Sequence, residues 1–262
     1  MQQEIYYTIS VLLSSHEPTD LHRGLEMVRE EAATAGPELC GQLCETILPL
    51  FYIDPLDHPE HVPVIEDAIR VVAGLGEAVI PALIQNLEMG DVKAQMAIAQ
   101  ALGWMGAAAV DPLIAEYHSS CPDPSCRAFL LYALGKVKAP EIVKAAPLAI
   151  AAAASADLEL RDTATRALGK FAESIPAGGL AEEVRLAALE VLQRNLSDYS
   201  PGVRAKAVRS LGKLAQRGHL TPRERWDLAA RLRRILGKDE QFEWDRAYVV
   251  RKEAQEALGY VG

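Results

Sequence analysis

The chain has 262 residues, enough for one large domain or two small ones, and half of them are apolar, chiefly Ala and Leu with few aromatic side chains. This composition favours closely packed helices. The formal net charge of −9 argues against a protein that works by holding nucleic-acid phosphates, because that affinity comes from clustered Lys and Arg.

The chain begins with MQQEIYYTISVLLSSHE, which lacks a basic leader and whose apolar stretch is too short for a signal peptide. The most apolar run, AAPLAIAAAASA from Ala145, falls well short of the ~20 residues that span a bilayer. Four cysteines are too few for a disulfide-dense fold of this length and fit a reducing compartment. We therefore expect a cytoplasmic protein without a membrane segment.

Residues 1–60 are expected to form a helical cap that carries no clear copy of the repeat described below. Three amphipathic stretches predict three helices, and Pro18 and Pro37 lie at or near helix starts, where a missing amide hydrogen costs little. Cys40 and Cys44 share one face of the third helix, where cysteines normally serve as small buried hydrophobes. The three stretches are QEIYYTISVLLSS, PTDLHRGLEMVREEAA and PELCGQLCETILPLF.

The segment DPLDHPEH, which ends at His61, gathers two histidines and three carboxylates. Imidazole and carboxylate groups are ligands of zinc and iron. Its prolines mark a connection between helices, where acidic residues also serve as helix caps. Because no regular ligand spacing is present, we predict no metal site and no cofactor, and keep His58 and His61 only as candidate ligands.

From residue 61 onward one short pattern returns about six times. Four copies have an Arg, a small or apolar residue three positions later, and Leu-Gly seven and eight positions later, and two earlier copies are looser. Arg127, Arg161, Arg204 and Arg251 are predicted to occupy one structural position, with Gln95 in the same slot of a looser copy. The copies are DAIRVVAGLG from Asp67, AQMAIAQALGW from Ala94, CRAFLLYALGK from Cys126, LRDTATRALGK from Leu160, VRAKAVRSLGK from Val203 and VRKEAQEALGY from Val250.

Apolar residues within each copy recur at steps of three and four, as in an amphipathic helix, and the closing Gly suits a left-handed or close-packed helix end. A second helical stretch follows, as in VIPALIQNLE from Val79 and VDPLIAEYH from Val110. One such hairpin cannot bury its apolar face alone. The sequence therefore predicts an all-α, right-handed superhelical solenoid of stacked helical hairpins, with the cap at 1–60, repeats over 61–262 and an incomplete last unit.

The stretches SPGVRAKAVRSLGKLA and DLELRDTATRALGKFA resemble the repeats of bacterial HEAT-like proteins, including the type named after phycobilisome lyases. The resemblance covers roughly residues 61–262. It implies an extended binding surface of the kind used by scaffolds, adaptors, chaperones, some lyases and a few enzymes, with the second helices lining a concave groove. The HEAT-like deoxyhypusine hydroxylases use several His-Glu pairs, whereas this chain has one, at His16 and Glu17.

Charge is distributed unevenly: from Leu180 to the end, 16 Lys and Arg face 12 Asp and Glu, a balance of +4, which leaves −13 on the first 179 residues. In the helical stretch PRERWDLAARLRRILGKD, Arg223 and Arg234 share one side and Arg231 lies near Trp226. We predict that Arg223, Arg231 and Arg234 contact an anionic partner. The alternative is that local Glu side chains pair with them.

The segment FEWDRAY places Trp244 and Tyr248 beside charged residues, a combination typical of interface hot spots. We predict both as apolar anchors for a partner, the alternative being that they fold back over the last repeat. The final helix, with Val250 and Leu258 among its apolar residues, either caps the solenoid or associates with a second copy of the chain.

No catalytic residue is predicted, because the chain has no phosphate-binding glycine loop, metalloprotease helix or nucleophile elbow. Cys121 and Cys126 flank PDPS at a helix start, where the helix dipole would favour the Cys126 thiolate. With Cys40 and Cys44 they complete the set of candidate metal ligands.

The sequence thus predicts a non-catalytic protein-interaction module, an adaptor, scaffold or assembly chaperone. It is expected to bind an acidic segment of another cytoplasmic protein through its concave groove and its C-terminal aromatic and basic region. The alternative is a lyase-like protein that holds a prosthetic group or metal for a client, and it requires an apolar pocket with convergent polar groups. A metal-dependent enzyme of the hydroxylase kind comes third.

Overall fold

The computed structural model describes residues 2–89, 91–119, 123–240 and 244–261. These ranges are mainly helical and contain no β-strand, only an isolated antiparallel bridge between Leu236 and Trp244. The chain forms two compact units, Met1–Ser119 and Ser120–Gly262. The predicted boundary at residue 60 and the single continuous solenoid stay predictions.

The first unit is a set of short helices around an aliphatic core that includes Leu21, Leu43, Leu83 and Leu102. Helix α4 packs against α2 and α6, and α5 packs against α6. Short 3₁₀ turns lie at Leu48–Tyr52, Pro59–His61, Glu77–Val79 and Gly106–Ala109. The helices are α1 (Gln2–Leu13), α2 (Pro18–Ala32), α3 (Pro37–Ile47), α4 (Val62–Gly74), α5 (Ile80–Met89), α6 (Val92–Met105) and α7 (Val110–Ser119).

The three helices predicted before residue 60 are present. The second begins at Pro18 and the third at Pro37, where prolines were expected at helix starts. In the first unit the Arg slot of the repeat holds Gln95. Its buried side chain donates to the Leu87 carbonyl at 2.8 Å, so it satisfies a backbone acceptor at the end of the preceding helix.

One stretch of the first unit, Val92–Ser119, is long and apolar enough to cross a membrane by length and composition alone. It passes this test where the run at Ala145 does not. In the structure a 3₁₀ turn divides it into α6 and α7, with Gly106 at φ 68°. Half of the apolar window is buried inside the protein. The stretch therefore consists of two partly buried helices and not of one continuous helix.

The second unit alternates the predicted first and second helices of the repeat. The first helices stack on one another, α10 against α8 and α12, and α12 against α14. Helix α11 packs on α9 and α12, and α13 packs on α14. The helices are α8 (Pro124–Leu134), α9 (Ala146–Ala152), α10 (Leu158–Ser174), α11 (Glu182–Asn195), α12 (Pro201–Gln216), α13 (Pro222–Ile235) and α14 (Tyr248–Leu258), with a 3₁₀ turn at Pro140–Ala145.

Small residues let the first helices approach closely. A Cβ atom added at Gly169 would lie 2.8 Å from the Cα of Ser210, and one at Gly212 would lie 2.9 Å from the Cβ of Ala257. Both glycines lie inside helices and neither has a positive φ. Of the two predicted roles for the closing glycine, close packing is the one that these two positions fulfil.

Three of the four predicted repeat arginines occupy one structural position. Arg161, Arg204 and Arg251 each donate from Nη1 to the carbonyls six and five residues earlier, at 2.7 to 3.2 Å. Arg161 also pairs with Asp198 at 2.7 Å, and Arg204 with Asp245 at 2.7 Å. Each of these two arginines therefore satisfies open carbonyls at the start of its own helix and ties that helix to the next repeat.

Candidate partner-binding cleft

A cleft of about 460 Å³ opens between the carboxyl-terminal ends of α11 and α13. After α13 the chain turns at Gly237, whose φ of 66° is readily adopted by glycine. It returns so that Trp244 bridges to Leu236 and the Asp245 amide donates to the Ile235 carbonyl at 3.0 Å. The cleft is lined by Leu196, Ser197, Arg231, Arg234, Ile235, Trp244 and Asp245.

Two guanidinium groups of the cleft are available for binding. Arg231 and Arg234 are exposed, and in the described part of the chain neither makes a hydrogen bond or an ion pair. The described residues therefore do not show the alternative arrangement, in which local Glu side chains pair with these arginines. Arg161, by contrast, has a side chain only 9% exposed and is held by Asp198.

The carboxylate in the cleft is already engaged. Asp245 accepts from Arg204 Nε at 2.7 Å and from Nη2 at 2.9 Å, and its Oδ1 accepts from the Ala247 amide at 2.8 Å. Burial alone would raise the pKa of Asp245, but the hydrogen bonds from Arg204 and Ala247 hold it below its ordinary value. The cleft thus presents two uncompensated positive charges and no unpaired negative one among its described lining residues.

The apolar part of the cleft comes from Trp244, Ile235 and Leu196. Trp244 is 62% exposed, and the two aliphatic side chains are half-buried. An indole beside two guanidinium groups can bind an apolar side chain and neighbouring carboxylates at the same time.

The structure brings together three of the five predicted partner-binding residues. Arg223 lies in the first turn of α13, eleven residues before Arg234 and therefore roughly 16 Å away along the helix. Tyr248 is 72% exposed at the start of α14 but does not line the cleft. Arg233 is exposed and without a partner in the described ranges, yet it also lies outside the cleft.

Sequence reasoning missed four residues of the cleft: Leu196, Ser197, Ile235 and Asp245. For Asp245 a signal was present, because it precedes Arg251 by six residues, as Asp198 precedes Arg204. The other three residues line the cleft because the loop after α13 returns beside them, and the repeat pattern does not encode the path of this loop.

The candidate metal ligands divide into two groups. Among the described residues, His58, Glu60 and His61 bring their ligand atoms within 4.8 Å of one another, and no cysteine joins them. Cys40 and Cys44 are free, buried thiols, and burial raises the pKa of Cys44 to about 12, with Glu45 adding to the effect. Cys126 is disulfide-bonded, and Cys121 lies outside the described residues.

A second cavity, of about 480 Å³, lies in the first unit beside α1 and α3. It contains the apolar groups that a prosthetic group would need, but its described lining residues include no histidine or cysteine. The lining residues are Ile5, Tyr6, Ile9, Glu31, Thr34, Ala35, Gly36, Glu38, Leu39, Gln42 and Leu43.

Neither known family profiles nor curated protein sequences give a match to this chain. Solved structures do. The complex of CpcE and CpcF of phycocyanin lyase from Nostoc sp. PCC7120 is 23% identical with a TM-score of 0.54, over 69% of this chain and 98% of that one. An engineered protein is 19% identical with a TM-score of 0.53, over 98% of this chain and 96% of that one.

The karyopherin Kap121p bound to the SUMO protease Ulp1p is 17% identical with a TM-score of 0.64, and the match covers all of this chain and 29% of the karyopherin. At these identities the comparisons show the fold alone. The predicted fold class, an all-α solenoid of helical hairpins, and the resemblance to HEAT-like repeat proteins are confirmed.

Proposed function

We propose that this chain is a non-catalytic protein-interaction module, an adaptor, scaffold or assembly chaperone, that binds an acidic segment of a cytoplasmic partner in the cleft between α11 and α13. One observation carries the proposal: Arg231 and Arg234 are exposed and without partners in the described ranges, beside the exposed indole of Trp244. The solved solenoids it resembles support a binding role, since Kap121p was crystallised bound to Ulp1p, and CpcE with CpcF.

The chemistry of the cleft selects the partner. Guanidinium groups form paired hydrogen bonds with carboxylates, and Trp244 favours an apolar side chain next to them. A segment with two or more Asp or Glu residues flanking one Leu or Phe would satisfy both. Nucleic acid is disfavoured, because the net charge of −9 opposes phosphate binding outside this small basic patch.

Fluorescence polarisation with labelled synthetic peptides tests the proposal. An acidic peptide that contains a single Phe is compared with a peptide in which Asn and Gln replace every Asp and Glu, and with one in which Ala replaces the Phe. We expect the first to bind more tightly than both, with an affinity that falls as salt is added. The variant R231E/R234E should lose this binding, whereas R233E, which changes an exposed arginine of the same turn outside the cleft, should retain most of it.

Circular dichroism of each variant separates loss of binding from loss of folding, because Arg231, Arg233 and Arg234 are all exposed. Equal losses for R231E/R234E and R233E would show that general charge rather than the cleft drives binding. Equal binding of the acidic and amide peptides would refute the proposed partner chemistry.

A further inference from the structure

A small group of side chains in the first unit is arranged as a metal site. His58, Glu60 and His61 lie on the 3₁₀ turn Pro59–His61 and the residue before it, with their ligand atoms within 4.8 Å of one another. The nearby Asp54 does not compete for this role, because it forms an ion pair with Lys93 and accepts from the Leu56 amide at 2.9 Å. The group lies in a different unit from the cleft and does not depend on the proposed partner.

His61 is the buried member of the group, with a side chain only 10% exposed. Its Nε2 lies 3.2 Å from the carbonyl oxygen of His16, and a carbonyl can only accept, so Nε2 carries the hydrogen. Metal-binding histidines typically donate their second ring N–H to a backbone carbonyl in this way, which fixes the tautomer and the ring orientation. A neutral His61 ring then offers the lone pair of Nδ1 toward the group.

That nitrogen is a buried polar atom without a hydrogen bond in the described part of the chain. Glu60 Oε1 lies 3.2 Å from it, but the contact lacks hydrogen-bond geometry. A neutral Nδ1 facing a carboxylate oxygen sets one lone pair against another, and a buried unsatisfied acceptor destabilises the fold. A cation held between the two atoms would remove both penalties.

The distances fit a tetrahedral ion. With metal–ligand bonds of 2.0–2.2 Å, two ligands of a tetrahedral zinc lie roughly 3.4 Å apart. Glu60 Oε1 is 3.4 Å from His58 Nδ1 and 3.2 Å from His61 Nδ1. The rings of His58 and His61 are nearly perpendicular, with centroids 5.6 Å apart. His58 and Glu60 are more than half exposed, so small rotations of these side chains can close the remaining nitrogen–nitrogen gap.

We propose that His58, Glu60 and His61 bind a divalent transition-metal ion, with Zn²⁺ as the ion that this donor set suits best. Two imidazole nitrogens and one carboxylate oxygen are ligands that zinc accepts, and three protein ligands leave a fourth position for water. The site ties the loop before α4 to the turn between α1 and α2 through the carbonyl of His16.

Metal titration of the full-length protein tests the site. Protein freed of metal by a chelator is titrated with ZnCl₂ at pH 7.5 against a chromophoric zinc chelator, and the stoichiometry is checked by native mass spectrometry. We expect one zinc per chain. His58→Ala should lower the affinity by roughly 100-fold or more and Glu60→Gln by at least about 10-fold, since even outer-shell substitutions lower metal affinity by 10–100-fold.

His58 and Glu60 are exposed, so these two variants leave the core intact, and circular dichroism without zinc verifies this. His22→Ala is the matched control, because His22 also lies in the first unit, has a side chain 41% exposed and contacts Asp67 at 3.5 Å rather than the site. It should bind zinc like the parent protein. Imidazole ¹⁵N spectra should show zinc-induced shifts at Nδ1 of His58 and His61, while Nε2 of His61 stays protonated.

Three results would overturn the proposal. They are zinc that fails to bind stoichiometrically, equal zinc affinity in His58→Ala and the parent protein, and zinc-induced shifts on other histidines in place of His58 and His61. None of these results bears on peptide binding in the cleft.

Discussion

Replacing Gly169 with alanine tests whether the closing glycine of the repeat serves helix packing. A Cβ at this position would lie 2.4 Å from Ser210 Oγ and 2.8 Å from Ser210 Cα. The hydroxyl can rotate away, but the Cα belongs to the backbone of α12. Helices α10 and α12 must therefore move apart by at least ~0.6 Å to reach an ordinary contact of 3.4 Å.

Overpacking of a tight core costs about 1–3 kcal/mol, and the backbone contact places Gly169→Ala at the upper end of that range. Alanine recovers about 1 kcal/mol through its higher helix propensity. We expect the free energy of unfolding to fall by about 2 kcal/mol, which corresponds to a decrease in Tm of roughly 4–8 °C for a chain of this size.

Gly41→Ala is the matched control. Gly41 lies inside α3, and a Cβ there would meet no heavy atom within 4 Å. With no clash to offset the helix propensity, this substitution should raise the free energy of unfolding by about 0.5–1 kcal/mol. Urea and thermal unfolding followed by circular dichroism measure both variants. If Gly169→Ala stabilises the protein as Gly41→Ala does, the packing explanation is refuted.

Three further predictions concern the arginines and the pH dependence. R231E/R234E should weaken binding of the acidic Phe peptide by about 1–3 kcal/mol at low salt, less at 0.15 M, while R233E changes it by under ~0.5 kcal/mol; equal salt dependence in both variants would contradict this. Arg204→Ala leaves Asp245 unpaired with a side chain only 13% exposed and should lower the free energy of unfolding by about 3 kcal/mol, whereas Arg251→Ala, whose guanidinium donates to carbonyls only among the described residues, should lower it by about 1 kcal/mol. Burial would raise the pKa of Glu173, but hydrogen bonds from Lys213 and Lys170 hold it at about 2. Because this pKa lies below the unfolded value of 4.5, the contribution of Glu173 to the free energy of unfolding is complete above pH 4.5 and is lost as the pH falls toward 2. Urea unfolding should show Glu173→Gln to be roughly 1–2 kcal/mol less stable than the parent at pH 7, after allowance for solvent screening, with a smaller difference at pH 3.

The repeat made much of the second unit predictable. Spacing alone placed Arg161, Arg204 and Arg251 in one position, because each repeat must satisfy the same open carbonyls at the start of its first helix. The same spacing located the close-packed Gly169 and Gly212, although it left open whether they end a helix or lie inside one.

The cleft was only partly predictable, because it depends on a loop rather than on the repeat. Helical periodicity places Arg223 and Arg234 on one side of α13. The cleft, however, lies only at the last turns of α13, beside the carboxyl-terminal end of α11 and Trp244. Arg231 therefore joins the cleft, whereas Arg223 does not. The positive φ of Gly237 and the bridge from Leu236 to Trp244 decide this outcome, and neither follows from a pattern of apolar residues.

The group His58, Glu60 and His61 shows the same limit, but here the sequence disfavoured a site that the structure brings together. The sequence disfavoured a site at His58 and His61, because the prolines mark a connection between helices and no regular ligand spacing is present. The 3₁₀ turn at Pro59 brings them round Glu60, and the carbonyl of His16, 45 residues earlier, orients His61. Long-range backbone contacts of this kind are not visible in the local sequence.

Within the second unit, the same residue type serves two purposes according to its place in the repeat. Arg204 lies in the repeat slot, has a side chain 16% exposed and is held by Asp245, whereas Arg234 lies outside the slot and is exposed without a partner in the described ranges. Substituting Arg204 should therefore lower stability first, and substituting Arg234 should lower binding with stability unchanged. Stability and peptide affinity measured together on Arg204→Lys and Arg234→Lys separate the two roles. Lysine keeps the charge but loses the paired hydrogen bonds that, of these two arginines, only Arg204 makes in the described part of the chain.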